Sequence, residues 1–203
     1  MSIPVLPPLL DVAGTAVFAL SGALVAARLR QSFVTVAFFA LVTGVGGGSV
    51  RDVLIGVPAF WLASPWVAPV LLGMALLPGI WPAQLLEWAD AAGLASFSAL
   101  GAAKALALGV APLPAIILGI VSGCVGGIIR DILAGLPSIL MRPELYVTAA
   151  ALSAGSCAIA LLAGLTQGMA LAIGAALGFG LRGAAIHWRI ELPAYARLDP
   201  PEN

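Results

Sequence analysis

Two adjacent pairs of opposite charge stand inside apolar stretches of this chain, Arg51 with Asp52 and Arg130 with Asp131. An Arg or Asp at the centre of a membrane span costs about 2.5–3.5 kcal/mol on insertion scales, so such residues face protein or water rather than lipid. Each pair follows a run dense in glycine: Gly44, Gly46, Gly47 and Gly48 in one case, Gly123, Gly126 and Gly127 in the other. A glycine costs a helix about 1 kcal/mol relative to Ala, and something must offset that. Two offsets are open. Small residues let helix backbones approach closely in lipid, or a kink or break frees carbonyls where water and neighbours satisfy them. The charges also admit two readings: structural ion pairs that lock the fold, or the lining of a hydrated path whose electrostatics they set. Neighbouring residues on a helix point about 100° apart, which leaves each Arg to find its carboxylate on the other motif, as Arg51–Asp131 and Arg130–Asp52.

Other polar residues surround these motifs. Thr43 and Ser122 directly precede the glycine runs, whereas Ser49 has the apolar Ile128 at the matching place. Hydroxyls in spans bond carbonyls of their own helix or line a pore, and both options stand. Lys104 lies near the end of an apolar stretch, where its stem can carry the ammonium to the surface, or it joins the path. The candidate path residues are thus Arg51, Asp52, Arg130, Asp131, Thr43, Ser49, Ser122 and Lys104. Asp11 and Asp90 precede apolar runs and read as helix N-caps. His187 beside Trp188 reads as interfacial, and the sequence holds no second histidine for a metal site. Gly44-Val-Gly46 lacks the strand–turn–helix context of a dinucleotide loop. Cys124 and Cys157 sit in apolar segments as small packing residues. No nucleophile–base set and no metal-ligand cluster can be assembled, so no enzyme, cofactor or metal is expected.

The elements that position these residues are read from hydropathy. The 203-residue chain is 62% hydrophobic and 9% charged, with mean hydropathy +1.11, far from a soluble domain with roughly a quarter of its residues charged. Net charge is zero and no basic run is present, which argues against a nucleic-acid partner. The start lacks the positive n-region of a cleaved signal peptide, so the first apolar stretch is expected to remain as a span. Spans are expected near residues 9–28, 33–56, 65–81, 89–108, 112–135, 145–164 and 167–187. Trp61, Trp66, Trp81, Trp88 and Trp188 fall near their ends, where amphipathic rings prefer the headgroup level. Arg28, Arg30, Arg142, Arg189 and Arg197 all fall on one face, while the loop after span 3 carries Glu87. Positive loops stay cytoplasmic, which predicts an outer amino terminus and a cytoplasmic carboxyl terminus.

A shift of 79 positions, the separation of Arg51 from Arg130 and of Asp52 from Asp131, aligns Gly44 through Pro58 with Gly123 through Pro137 without a gap. It also places Asp11 on Asp90, Gly14 on Gly93, Phe18 on Phe97 and Gly22 on Gly101. Each copy carries three spans, so the second enters the bilayer from the opposite side and the halves form an inverted repeat. The expected division is a first repeat over residues 9–81, a second over 88–164, a seventh helix over 165–188 outside the duplication, and a solvated tail over 189–203. The fold class is all-α, a polytopic membrane protein of seven helices.

On its paired motif, Gly-Val-Gly-Gly-Gly-Ser-Val-Arg51-Asp52 and Gly-Cys-Val-Gly-Gly-Ile-Ile-Arg130-Asp131, the chain resembles prokaryotic members of the trimeric intracellular cation (TRIC) channel family. The resemblance implies a homotrimer with one pore per protomer, spans 2 and 5 kinked at their glycines, and conduction of monovalent cations, potassium chiefly and sodium too. It implies multi-pass placement in the inner (plasma) membrane, among membrane lipids. Animal members carry Lys-Glu where this chain has Arg-Asp, so their association with phosphoinositides is not carried over. Inverted repeats with broken helices also build secondary transporters, and some relatives are labelled as carriers of glycine or small solutes. A membrane scaffold held by small-residue packing is the third reading.

Overall fold

A computed structural model describes residues 8–77, 82, 84–141 and 144–192 of the chain. Seven α-helices follow one another: α1 (Pro8–Arg28), α2 (Phe33–Ile55), α3 (Val67–Ala75), α4 (Leu85–Ala107), α5 (Pro112–Leu133), α6 (Val147–Leu162) and α7 (Gln167–Trp188). Among the described residues no strand forms, apart from a single bridge between Glu144 and Glu191. The protein is all-α, as its hydropathy requires.

Local chemistry sets the helix ends. Ser32 caps α2 by accepting from the Thr35 amide at 3.3 Å, Thr166 caps α7 through the Met169 amide, and Pro112 opens α5 where its missing N–H costs nothing. α2 ends at Gly56 (φ 80°) and α5 at Gly135 (φ 65°), left-handed positions that favour glycine. Their neighbours close the turn alike: the Val57 amide reaches the Asp52 carbonyl at 3.0 Å, and the Leu136 amide reaches that of Asp131 at 2.9 Å.

α2, α5 and α7 are 22 or 23 residues long, about 33 Å at 1.5 Å per residue, enough for a hydrocarbon core of about 30 Å. Residues 11–28 of α1 also form an apolar stretch of spanning length. α3 has nine residues, about 14 Å, and reaches only part of the way. Residues 78–81 of its expected span, with Trp81, lie outside the described residues, as do Arg142, Arg197 and the tail beyond 192.

Outward faces of the long helices carry large apolar side chains, among them Val34, Leu113, Ile159 and Met169. In water such a surface would be a liability, whereas in lipid it is the expected exterior. α1 and α4 are innermost, and α4 buries Ala, Gly and Ser along most of its length.

The inverted repeat is visible in contacts that map onto themselves. Gly14 packs on the Phe97 ring and Gly93 on the Phe18 ring, and the two rings meet with centroids 5.3 Å apart. Gly47 abuts the Ser122 carbonyl while Gly126 abuts the Thr43 carbonyl. Each residue is the 79-shifted partner of its counterpart, so exchanging the two halves leaves these contacts in place. Only a two-fold relation between the copies does this, and three helices per copy put its axis in the membrane plane.

Candidate functional site

The sequence Arg-Asp followed by Gly and Pro builds the same device at the ends of α2 and α5. The left-handed glycine turns the chain back so that an amide eight residues beyond the aspartate reaches its carboxylate. Phe60 N–H donates to Asp52 Oδ2 at 2.8 Å, and Ile139 N–H donates to Asp131 Oδ2 at 2.9 Å. Both donors begin short 3-10 helices, Phe60–Ala63 and Ile139–Met141. The other carboxylate oxygen takes the adjacent arginine: Arg51 Nε to Asp52 Oδ1 at 2.8 Å, and Arg130 Nε to Asp131 Oδ1 at 2.9 Å.

The expected exchange of partners between repeats is therefore corrected: each arginine pairs with its own neighbour, because both side chains curl toward the helix end where the returning chain supplies a donor. What crosses between repeats is different. Lys104 of α4 donates to Asp52 Oδ1 at 2.7 Å, Arg51 Nη1 reaches Ser122 Oγ at 3.5 Å, and Arg130 Nη1 donates to Ser21 Oγ of α1 at 3.1 Å. The simple surface placement of Lys104 is likewise corrected, since its ammonium is drawn inward by a buried carboxylate.

Asp90 is not an N-cap. It lies within α4 and accepts from Arg130 Nη1 at 2.5 Å, making a buried triad with Asp131. Asp11, its counterpart, lies within α1, and its Oδ1 is buried with no hydrogen-bond partner among the described residues, as is Arg51 Nη2. The two halves hold matching residues in different pairings.

Ser49 bonds its own Val45 carbonyl at 2.7 Å and accepts from the Trp61 indole at 3.0 Å, which anchors the chain after α2. Thr43 Oγ1, Thr15 Oγ1 and Ser98 Oγ are buried without partners among the described residues. α2 and α5 run through their glycines as uninterrupted helices, so the expected break that would free carbonyls is corrected. Besides Gly47 and Gly126, already set against backbone carbonyls, the other five glycines also take up contacts. Gly44 faces Leu71, Gly48 faces the Phe60 ring, Gly123 faces Ser98, and Gly127 faces the Tyr146 hydroxyl, while Gly46 lies near Ile129.

A cavity of about 680 Å³ opens on the face where α1, α5 and α7 end and α4 begins, and it reaches Asp90, Arg130 and Asp131. The other cluster is closed. Arg51 and Asp52 are both 0% exposed, with the Phe60 ring 5.9 Å from the guanidinium carbon and packed edge-on against Phe97 at 6.3 Å. Ile139 stands where Phe60 does in the other half, and it lines the open cavity instead.

Asp90, Ser21, Phe60, Tyr146 and the ion pair of Arg182 with Glu144 were not singled out as site residues in the sequence. Arg182 Nη2 donates to Glu144 Oε2 at 2.5 Å, and its guanidinium carbon lies 5.4 Å from the Tyr146 ring centroid. Arg182 was findable as the one charge inside an apolar seventh helix; the others needed the fold.

The fold and these clusters define a polytopic helical membrane protein with an inverted three-helix repeat and buried, paired charges at its centre. Residues 8–81 and 87–163 match a family model described as Glycine transporter. A UPF0126 membrane protein of Vibrio cholerae is 39% identical over 93% of this chain and 82% of its own length. The UPF0126 inner membrane protein YadS of Escherichia coli is 36% identical over 92% and 95%. Among solved structures, the TRIC trimeric intracellular cation channel orthologue from Rhodobacter sphaeroides superposes with a TM-score of 0.85 at 36% identity, over 90% of this chain and 98% of that one. A structure from work on conductance through TRIC cation channels gives 0.82 at 25% identity, over 97% and 100%. The chain belongs to the TRIC family.

Proposed function

We propose that the protein is a monovalent-cation channel, permeable to potassium and sodium, with one pore per protomer running between the repeats. The observation that carries this reading is the cavity that descends from one face to Arg130 and Asp131, with buried, unpaired hydroxyls of Thr15, Thr43 and Ser98 deeper in the same core. Buried polar atoms of this kind are ordinarily satisfied by water, so they suit a hydrated route toward Arg51 and Asp52. Pairing of each arginine with an aspartate removes the positive barrier a bare guanidinium would raise against cations.

In this reading the present conformation is closed at Phe60 and Arg51, and opening shifts them. The glycines of α2 and α5 are where those helices would bend, since their tight contacts lack side chains that resist sliding. The protein assembles as a homotrimer in the inner membrane, with its outward apolar side chains against lipid or neighbouring protomers. Its amino terminus is outside and its carboxyl terminus cytoplasmic, which places the cavity mouth on the cytoplasmic face. The working division is residues 9–81 and 88–164 for the repeats, 165–188 for the extra helix and 189–203 for the tail.

A second reading, a secondary transporter of a small solute such as glycine, is favoured by the cavity opening on one face only. Recording from purified, reconstituted protein under a potassium gradient tests both. Unitary currents reversing near the potassium equilibrium potential support the channel. Saturable glycine uptake without unitary currents overturns it in favour of the carrier.

A further inference from the structure

The two halves present their carboxylates alike in the arginine Nε and the returning amide, and differ in the third donor: the Lys104 ammonium on Asp52 Oδ1, and a second guanidinium nitrogen, Arg130 Nη2 at 2.9 Å, on Asp131 Oδ1. Asp52 accepts from Arg51 Nε, the Phe60 amide and the Lys104 ammonium. Asp131 accepts from the Arg130 guanidinium and the Ile139 amide. The position that mirrors Lys104 is Val25, 79 residues earlier, and it has no charge to offer. Val25 and Asp131 both line the cavity, so the point that mirrors the ammonium falls at the cavity floor.

Charge counting gives the same result. In the first half Asp11 and Asp52 are matched by Arg51 and Lys104, and the cluster is neutral. In the second, Asp90 and Asp131 share the single Arg130, which leaves one negative charge. Asp90 is only 3% exposed, and its Oδ2 meets no hydrogen-bond donor among the described residues. A desolvated charge without compensation is strongly unfavourable. Among the described residues the other charges around the cavity do not supply it: Arg182 is held by Glu144, while Arg28, Arg189, Glu87 and Glu191 are exposed and screened by solvent.

We propose that a monovalent cation of the potassium or ammonium kind binds beside Asp131 and Asp90, at the place the Lys104 ammonium occupies beside Asp52 in the other half. Carboxylate oxygens and cavity water are the ligands such a hard cation takes. The site deepens the conduction reading without depending on current, because a channel and a carrier would both use it.

Equilibrium binding of rubidium-86 to the purified full chain in detergent, at constant ionic strength with choline as the replacement ion, tests the site. The wild type binds a single rubidium ion per chain saturably, with displacement by potassium and ammonium. Val25→Lys supplies an internal ammonium and abolishes binding, and Asp131→Asn abolishes it without adding bulk should the lysine variant fail to fold. Lys104→Val opens the mirror site and adds a second bound ion. Absence of saturable binding by the wild type overturns the proposal, and so does unchanged binding by Asp131→Asn, since the ion would then be bound away from Asp131. Rubidium binding without unitary currents keeps the site and removes the channel; currents without binding do the reverse.

Discussion

Gly47 and Gly126 face one another where α2 crosses α5, each set against a backbone carbonyl of the opposite repeat, that of Ser122 for Gly47 and that of Thr43 for Gly126. A methyl group at Gly126 would lie 2.7 Å from the Thr43 oxygen, and backbone cannot yield as a side-chain tip can. Gly126→Ala is expected to destabilise the fold by about 1–3 kcal/mol through overpacking, and Gly47→Ala by at least as much. Gly180, with nothing near its missing Cβ, is the control: Gly180→Ala should be neutral or stabilising by up to about 1 kcal/mol. Thermal midpoints of the purified variants in detergent check the ordering, and losses at Gly47 and Gly126 no larger than at Gly180 would remove the crossing as a structural keystone.

Lys104 ties the repeats together by donating to Asp52 from the far side of the interface. Lys104→Met keeps the stem and deletes the charge. Because the ammonium is partly reachable by solvent, the loss should fall near the low end for broken buried pairs, about 3 kcal/mol. A denaturation midpoint indistinguishable from wild type would show that Arg51 alone satisfies Asp52.

Neutralising the aspartates exposes the arginines to the proposed path. Asp131→Asn leaves Arg130 with Asp90 as a partner, whereas Asp52→Asn leaves Arg51 with no carboxylate bonded to it among the described residues. Both should reduce cation flux, and Asp52→Asn should shift the reversal potential further toward the anion side under a salt gradient. Wild-type conductance and selectivity in both variants would separate these charges from conduction.

Arg182 fastens α7, the helix outside the duplication, to Glu144 ahead of α6. A double-mutant cycle with Arg182→Met and Glu144→Gln, read by thermal unfolding, is expected to return a coupling energy of about 1–3 kcal/mol. Strictly additive losses would reassign Arg182 to its contact with the Tyr146 ring.

Much of this architecture was legible in the residues. The 79-residue shift identified pairs that the structure holds in self-mapping contacts, Gly14 with Gly93 and Phe18 with Phe97 among them, though not Phe60 with Ile139. The Arg-Asp pairs were legible as turned away from lipid, toward protein or water, because of the cost of a charge in a span. Their partners were not, for helix geometry alone pointed Arg51 away from Asp52, and it took the turn at Gly56 to bring Phe60 N–H and the guanidinium to the same carboxylate. The glycines left bending and packing open, with bending the leading expectation; the structure shows unbroken helices with carbonyls pressed on Gly47 and Gly126.

Hydropathy and periodicity are properties of one stretch of chain, so the sequence by itself determined the helices, their duplication, their inverted relation and the family. Which charge meets which is settled between stretches far apart along the chain. Only the tertiary structure could place Lys104 on Asp52, Asp90 on Arg130, and Phe60 over one cluster while its counterpart Ile139 leaves the other open. The physical reason is that two nearly identical sequence motifs, once packed as halves of one body, compete for a single set of neighbours, and small differences such as Val25 against Lys104 break their equivalence.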